Sequence, residues 1–285
     1  MTNALRIFVF VLTMVAVSFG ASAAPDRKAN PQVEFTLQKV AFQIGETKIH
    51  AQLRQFGANR LTMVNVHDDE QTSVDAAVAV MEQQGGRLVE LTHTGKRRVV
   101  FALNGKTYSI DPNRIFSKAG VRFTVRREDQ RDGTVPAEAN AAVEQFASQL
   151  ISYSELGRQR GLIALHHNGE GGLSIHTYEP GGEWAADTDE LHVSPSADPD
   201  DFYFVTDKRF FDELKKRQFN VILQDNSIKR DDGSLSVFSG RRGIPYINVE
   251  TQPEHLEEQI RMIKVAVELM SDPAIQQSKA GKKRK

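Results

Sequence analysis

His67 and Glu70 stand three residues apart, directly after the apolar run Leu61–Val66 and directly before the Ala/Val-rich segment that starts at Gln71. A neutral imidazole and a carboxylate at that spacing in a tight turn can both reach one metal ion. Two such ligands do not fix a zinc site, so other parts of the chain must supply the rest. Three further apolar runs end in residues able to do chemistry. One empties into Asn113 and Arg114, one into His166 and His167, and one into Glu250. Cysteine is absent from all 285 residues, so there is no thiolate ligand, thiol nucleophile or disulfide framework. Any bound metal must be held by His and carboxylate.

The elements that must position these groups are readable from periodicity. Leu61–Val66 reads as a buried strand and residues 73–84 as the helix after it, stopped by Gly85 and Gly86. Loops leave the rigid carboxyl ends of strands at that kind of junction, which is where ligands collect in open α/β sheets. Strands are also expected at 33–37, 48–53, 87–92, 99–103, 107–110, 161–165, 173–178, 201–206, 219–223 and 245–249. Helices are expected at 136–156, 208–218 and 254–270. Asn104-Gly105 is a hairpin turn. The proline in Asp111-Pro-Asn-Arg is expected to hold that segment extended. Residues 179–200, rich in Gly, Pro, Asp and Ser, read as a long irregular loop, and 225–234 as a polar turn. Strands alternating with helices give a single α/β domain over 24–275, a mixed, largely parallel sheet flanked by helices.

Composition narrows the function. Lys plus Arg number 36 against 37 Asp plus Glu, for a net charge of −1. No global basic field calls for nucleic acid. Arg6, a short apolar stretch from Ile7 to Gly20 and Ala21-Ser-Ala describe a secretory signal over 1–23, cut after Ala23. The expected product is periplasmic or secreted, with no stable membrane anchor after cleavage. Residues 276–285 read as a basic, solvated tail.

Taken in order, His67-x-x-Glu70, Asp-Pro-Asn113-Arg114-Ile-Phe, Ala-Leu-His166 and Ile-Asn-Val-Glu250, each after a strand, resemble the zinc carboxypeptidase superfamily. That group includes carboxypeptidase A-like peptidases and the aspartoacylase/succinylglutamate desuccinylase deacylases. The resemblance spans roughly residues 61–252. It implies Zn2+ held by His67, Glu70 and His166 with a solvent molecule in the open position. It also implies Glu250 as general base and Asn113 with Arg114 as the grip on a substrate carboxylate. The pattern selects His166 over His167, whose side chains alternation sends to opposite faces. Deacylases with this Asp-x-Asn-Arg-x-Phe motif carry a carbonyl-polarising Arg seven residues before the Asn. Here that position is Lys106, whose point charge can stabilise an oxyanion, with Arg97, Arg98 and Arg122 as other candidates. Tyr178 and Tyr246 are positional candidates for the tyrosine that peptidase members place over the site.

The expected activity is therefore an exported zinc hydrolase of amide bonds, acting on a small peptide, a peptidoglycan fragment or an acyl amino acid. A non-catalytic binder of peptides or wall fragments on the same fold is the alternative. A metal phosphoesterase, which usually needs a richer Asp/His set, ranks below both. Glu170, His176 and Trp184 are possible cleft residues, whereas His50, His93, His192 and His255 read as structural.

Overall fold

The computed structural model describes residues 33–129, 134–169, 172–227 and 230–273. The expected signal segment, the basic tail and Glu170 lie outside the described residues. Among those described, no helix is long and apolar enough to cross a membrane.

The chain begins with a long hairpin, β1 (Phe35–Ile44) and β2 (Thr47–Phe56), turning at Gly45 with φ 56°. There follow β3 (Thr62–Asn65), α1 (Gln71–Gln84), β4 (Gly86–Thr92), and the hairpin of β5 (Val99–Leu103) with β6 (Lys106–Ile110). Next come α2 (Lys118–Thr124), the short β7 (Arg126–Arg127), α3 (Ala137–Tyr153) and β8 (Leu162–His167). The remainder is β9 (Thr188–His192), β10 (Phe202–Val205), α4 (Lys208–Lys216), β11 (Asn220–Gln224), α5 (Leu235–Arg242), β12 (Tyr246–Thr251) and α6 (Leu256–Ser271).

The main sheet has nine strands in the order β1-β2-β4-β3-β8-β12-β10-β11-β9. Its centre, β4-β3-β8-β12, is parallel throughout, while both flanks contain antiparallel pairs. The sheet is therefore mixed: apart from β10 with β11, its parallel pairs lie in this centre, whose β3, β8 and β12 carry the site. The four residues of β3 are all buried, as are the first five of β8 and all of β12. Strands covered on both faces read as apolar-rich runs without alternation, although β3 and β12 also bury Thr62, Asn65 and Asn248. Apolar residues of α1, α4 and α6 form the core on one face, with Met63, Ile163 and Ile247. On the other face α3, α5 and the separate three-stranded sheet β5-β6-β7 pack over Val64, Ala164 and Tyr246.

Several local expectations are corrected. Asp111–Phe116 is not extended: Pro112–Arg114 makes one 3-10 turn, capped by the Asp111 side chain accepting from the Asn113 N–H at 2.8 Å. Proline at the first position of such a turn has no N–H to lose. Residues 175–178 form a 3-10 turn instead of a strand, anchored by buried Ile175. The stretch 179–200 contains edge strand β9, which buries no residue fully and so carries no alternating apolar signal. Helices α2 and α5 are also present where no element was expected.

Candidate metal centre and substrate cavity

His67 leaves the end of β3, and a turn closed by the Glu70 N–H donating to the His67 carbonyl (3.2 Å) brings Glu70 round to face it. Glu70 is the N-cap residue of α1, yet its side chain caps nothing. It points at the two histidines instead, giving up a bond worth about 1 kcal/mol to a helix end. His166, one strand over on β8, completes the group. The Nδ1 atoms of the two rings lie 3.1 Å apart, His67 Nδ1 is 2.8 Å from Glu70 Oε1, and His166 Nδ1 is 3.0 Å from Glu70 Oε2. Their ligand atoms all fall within 4.8 Å of one another, and all three residues are buried. Ligands held about 2.0–2.2 Å from one tetrahedral ion sit roughly 3.3 Å apart, so the group is a slightly contracted version of such a site.

The other ring nitrogen of His67 is equally committed. Nε2–H donates to Asp111 Oδ1 at 2.9 Å, which fixes the tautomer and leaves Nδ1 as the lone-pair donor. Burial alone would lower the His67 imidazole, but Glu70 and Asp111 raise it to about 9. Burial would push the Glu70 and Asp111 carboxyls up, yet the facing imidazoles hold both well below the ordinary carboxylate range. Positive charge at the centre is what these carboxylates stabilise, in the form of a proton or of a metal cation. Asn65 adds Nδ2 contacts of 3.4 Å to Glu70 Oε2 and to the Leu165 carbonyl. Buried Gln259 of α6 donates to the His166 carbonyl and to Ser73 Oγ, both at 2.9 Å, tying α6 and α1 to the end of β8.

His167 turns away, its Nε2 donating to the Asp69 carbonyl at 3.0 Å. Glu250 is the ladder partner of His166 on β12 and lines the same cavity, where Asn248 Nδ2 donates to its Oε1 at 3.0 Å. Asn113 and Arg114 line that cavity as well. The Asn113 amide accepts from the Leu235 N–H at 3.1 Å and brings Nδ2 within 3.4 Å of His166 Nε2. Arg114 Nη1 donates to the Asn113 carbonyl at 2.9 Å, and its Nε faces Asp232 at 3.4 Å.

Lys106 is not at the site. It opens β6 at the hairpin tip and is exposed, whereas the motif lies beyond the other end of that strand. At about 3.3 Å of rise per residue, the strand carries it well away from Asn113. Arg97 is the cation that reaches the centre, with Nη1 2.9 Å from Glu70 Oε1. Arg98 is spent on Ser109 Oγ and the Thr124 carbonyl, and Arg122 is exposed on α2. Tyr178 and Tyr246 both border the cavity, their phenols pushed up by burial. Trp184 lines it too, while His176 sits outside with Glu179. His255 pairs with Asp201 at 2.8 Å.

Asp111 and Gln259 hold the candidate ligands in place, and the sequence does not single them out. An Asp before Pro reads as a turn former, and a Gln in an amphipathic helix reads as a solvated position. The one available signal was that Asp111 opens the same motif as Asn113 and Arg114.

Fold and site together define an α/β protein with a buried two-histidine, one-carboxylate group of metal-ligating geometry at the ends of its parallel strands. No family model matches the chain, and its sequence matches no curated protein. Solved structures do show similarity. One is a candidate metallopeptidase from Shewanella baltica, at 13% identity and TM-score 0.38, covering 81% of this chain and 85% of that one. Another, from Shewanella denitrificans and described the same way, has 16% identity, TM-score 0.37 and 82% coverage of both chains. An aspartoacylase family protein from Mesorhizobium loti has 13% identity and TM-score 0.36, covering 88% of this chain and 73% of that one.

Proposed function

We propose that this chain is an exported, zinc-dependent hydrolase of amide bonds. The observation that carries the reading is the convergence of His67 Nδ1, His166 Nδ1 and a Glu70 carboxylate oxygen on one buried point beside a cavity. Two imidazoles and one carboxylate are the donor set of catalytic zinc sites, which keep a further position for solvent or substrate. A zinc ion there would supply Lewis-acid activation of water and of the scissile carbonyl.

The chain's own groups have separable tasks. Glu250, one strand from His166, takes the proton from the attacking water and returns it to the leaving amine. Arg97, in place of Lys106, supports negative charge on the carbonyl oxygen as the bond is attacked. Arg114 receives a substrate carboxylate. Its contact to Asp232, at 3.4 Å, is longer than a charge-assisted hydrogen bond, so a carboxylate presented to its fork can compete. Small peptides, acyl amino acids and peptidoglycan fragments are the substrates consistent with such a carboxylate grip and with export. Export itself rests on the signal-like run Ile7 to Gly20.

Elemental analysis of the purified chain after zinc loading and dialysis tests the metal. About one zinc per chain is expected, lost on His67→Ala. Glu250→Gln should retain the metal and abolish release of products, read by mass, from a panel of short peptides, acyl amino acids and wall fragments. Absence of stoichiometric zinc from the unmodified chain overturns the reading.

A further inference from the structure

Between His67 and Glu70 stands Asp68, and its carboxylate is committed to a different part of the chain. Asp68 Oδ2 accepts from two backbone N–H groups of one loop, His93 at 2.7 Å and Gly95 at 2.6 Å. Hydrogen bonds to an ionised acceptor are roughly twice as strong as neutral ones. Gly95 has φ 67°, a left-handed conformation that glycine adopts without strain. A Cβ there would meet nothing within 4 Å, so this glycine answers to the path of the backbone and not to crowding.

Residues 93–98 join β4 of the main sheet to β5 of the separate one. Among the described residues, no backbone-to-backbone hydrogen bond holds this loop. Thr94 to Arg97 are exposed, so burial does not fix their path either. The loop is tied by side chains instead. Asp68 holds its near end. At the far end Arg98 donates from Nε to Ser109 Oγ at 3.1 Å and from Nη2 to the Thr124 carbonyl at 3.0 Å. Between the two ties lies Arg97, which brings Nη1 to 2.9 Å from Glu70 Oε1 although half of its side chain is exposed. An exposed arginine has much rotamer freedom to lose, so a contact this specific requires a backbone already in place.

We propose that Asp68 is a positioning residue: it holds the 93–98 loop against the turn of the candidate ligands and thereby keeps the Arg97 guanidinium beside the metal group. The histidine and carboxylate ligands of that turn and the neighbouring cation are then referenced to one short segment, His67–Glu70. The consequence for turnover rests on the hydrolase reading above, in which Arg97 supports charge on the carbonyl oxygen; the hold on the loop does not.

Three measurements on the zinc-loaded full chain test it. Followed by NMR, the His93 and Gly95 amides should exchange hydrogen about tenfold or more slowly than those of Thr94 and Lys96. Trypsin cuts after Lys96, Arg97 and Arg98 when the loop opens. Cleavage at these bonds, read by mass, should rise about tenfold or more in Asp68→Ala. Asparagine keeps an oxygen that can accept from both N–H groups, so Asp68→Asn should stay near the unmodified chain. On a substrate that the chain cleaves, Asp68→Ala should lower kcat with little change in KM. It should add nothing in an Arg97→Ala background, because residues acting through one another are not additive. Fast exchange at His93 and Gly95 overturns the proposal, and that comparison stands even if a variant does not fold. Unchanged tryptic cleavage in Asp68→Ala overturns it too, as does a loss in kcat that persists in full without Arg97. A chain that cleaves no amide yet passes the exchange and trypsin tests would sink the hydrolase reading and keep the loop hold. Zinc-dependent cleavage with a loop indifferent to Asp68 would do the reverse.

Discussion

Replacing Asp111 separates the charge at the second ring nitrogen of His67 from the hydrogen bond it makes. Asp111 Oδ1 accepts twice, from His67 Nε2–H at 2.9 Å and from the Asn113 N–H at 2.8 Å. Asparagine can present its own oxygen to both donors, so Asp111→Asn keeps the geometry and removes only the negative charge. Alanine removes both bonds, and the His67 side chain is fully buried, so water reaches its Nε2 poorly. Outer carboxylates that orient a ligating histidine are worth about 10–100-fold in metal affinity. The asparagine variant should therefore weaken zinc by about tenfold and alanine by about 100-fold, or about 1.4 and 2.8 kcal/mol. Alanine also uncaps the 3-10 turn, at a further cost of about 1 kcal/mol to folding. Competition against a chromophoric zinc chelator at fixed pH gives the affinities, and a denaturant titration without metal isolates the folding cost. An alanine variant that holds zinc within about twofold of the unmodified chain refutes the claim that Asp111 fixes the His67 tautomer.

Two further outcomes follow from the packing. A Cβ on Gly120 would lie 2.3 Å from the Gly233 Cα and 2.4 Å from the Arg114 carbonyl, so Gly120→Ala should cost about 1–3 kcal/mol in urea unfolding and weaken carboxylate binding; an unchanged midpoint would contradict this. His255 is raised above 6.5 because Asp201, 2.8 Å away, outweighs the burial that would lower it, while Asp201 itself is raised by burial. The imidazole's stabilisation is fully present below the unfolded value and is lost as pH rises through the folded one. With the ring a third exposed, the effect is under about 1 kcal/mol, read as a melting temperature that falls above pH ~6.5 more in the unmodified chain than in His255→Gln.

The metal group was legible because each ligand follows a run whose burial the sequence states openly. Leu162–Leu165 is unbroken and Leu61–Val66 is interrupted only by buried Thr62 and Asn65, because both faces of the parallel centre are covered, and an imidazole at the end of such a run marks the sheet's edge. Lys106 was misplaced because spacing along the chain is not distance in space: the turn at Asn104-Gly105 and the length of β6 put it at the far end of a strand. Arg97 sits in Gly95-Lys-Arg-Arg98, which has the composition of an ordinary solvated loop, and half of its side chain is indeed exposed. Only its contact with Glu70 distinguishes it from its neighbours. Strand β9 and helix α5 were hidden for opposite reasons: the edge strand buries nothing fully, while α5 follows a polar turn and is only eight residues long.

The polar atoms the fold leaves unmatched bear on where function lies. Asn140, Tyr153 and Ser154, on and just after α3, hold three of the eight buried oxygens without a partner among the described residues; the other five are Asn65 Oδ1, Asn168 Oδ1, Asn248 Oδ1, Thr251 Oγ1 and Gln259 Oε1. Each of these five belongs to a residue within two positions of His67, His166 or Glu250, or, for Gln259, one bonded to His166. Native interiors seldom tolerate such groups, because each costs about 1–3 kcal/mol. Their gathering at the ends of β3, β8 and β12 has a geometric source. The parallel ladder pairs Glu250 with His166 and Val64 with Ala164, so the separation of the site residues is set by strand register and not by loops. A one-residue slip would exchange His166 for His167 and dissolve the site. Holding that register while crowding His67, His166, Glu250 and their supports onto three adjacent strand ends leaves acceptors that neither helix nor sheet can satisfy. Stability is given up where the candidate site is placed.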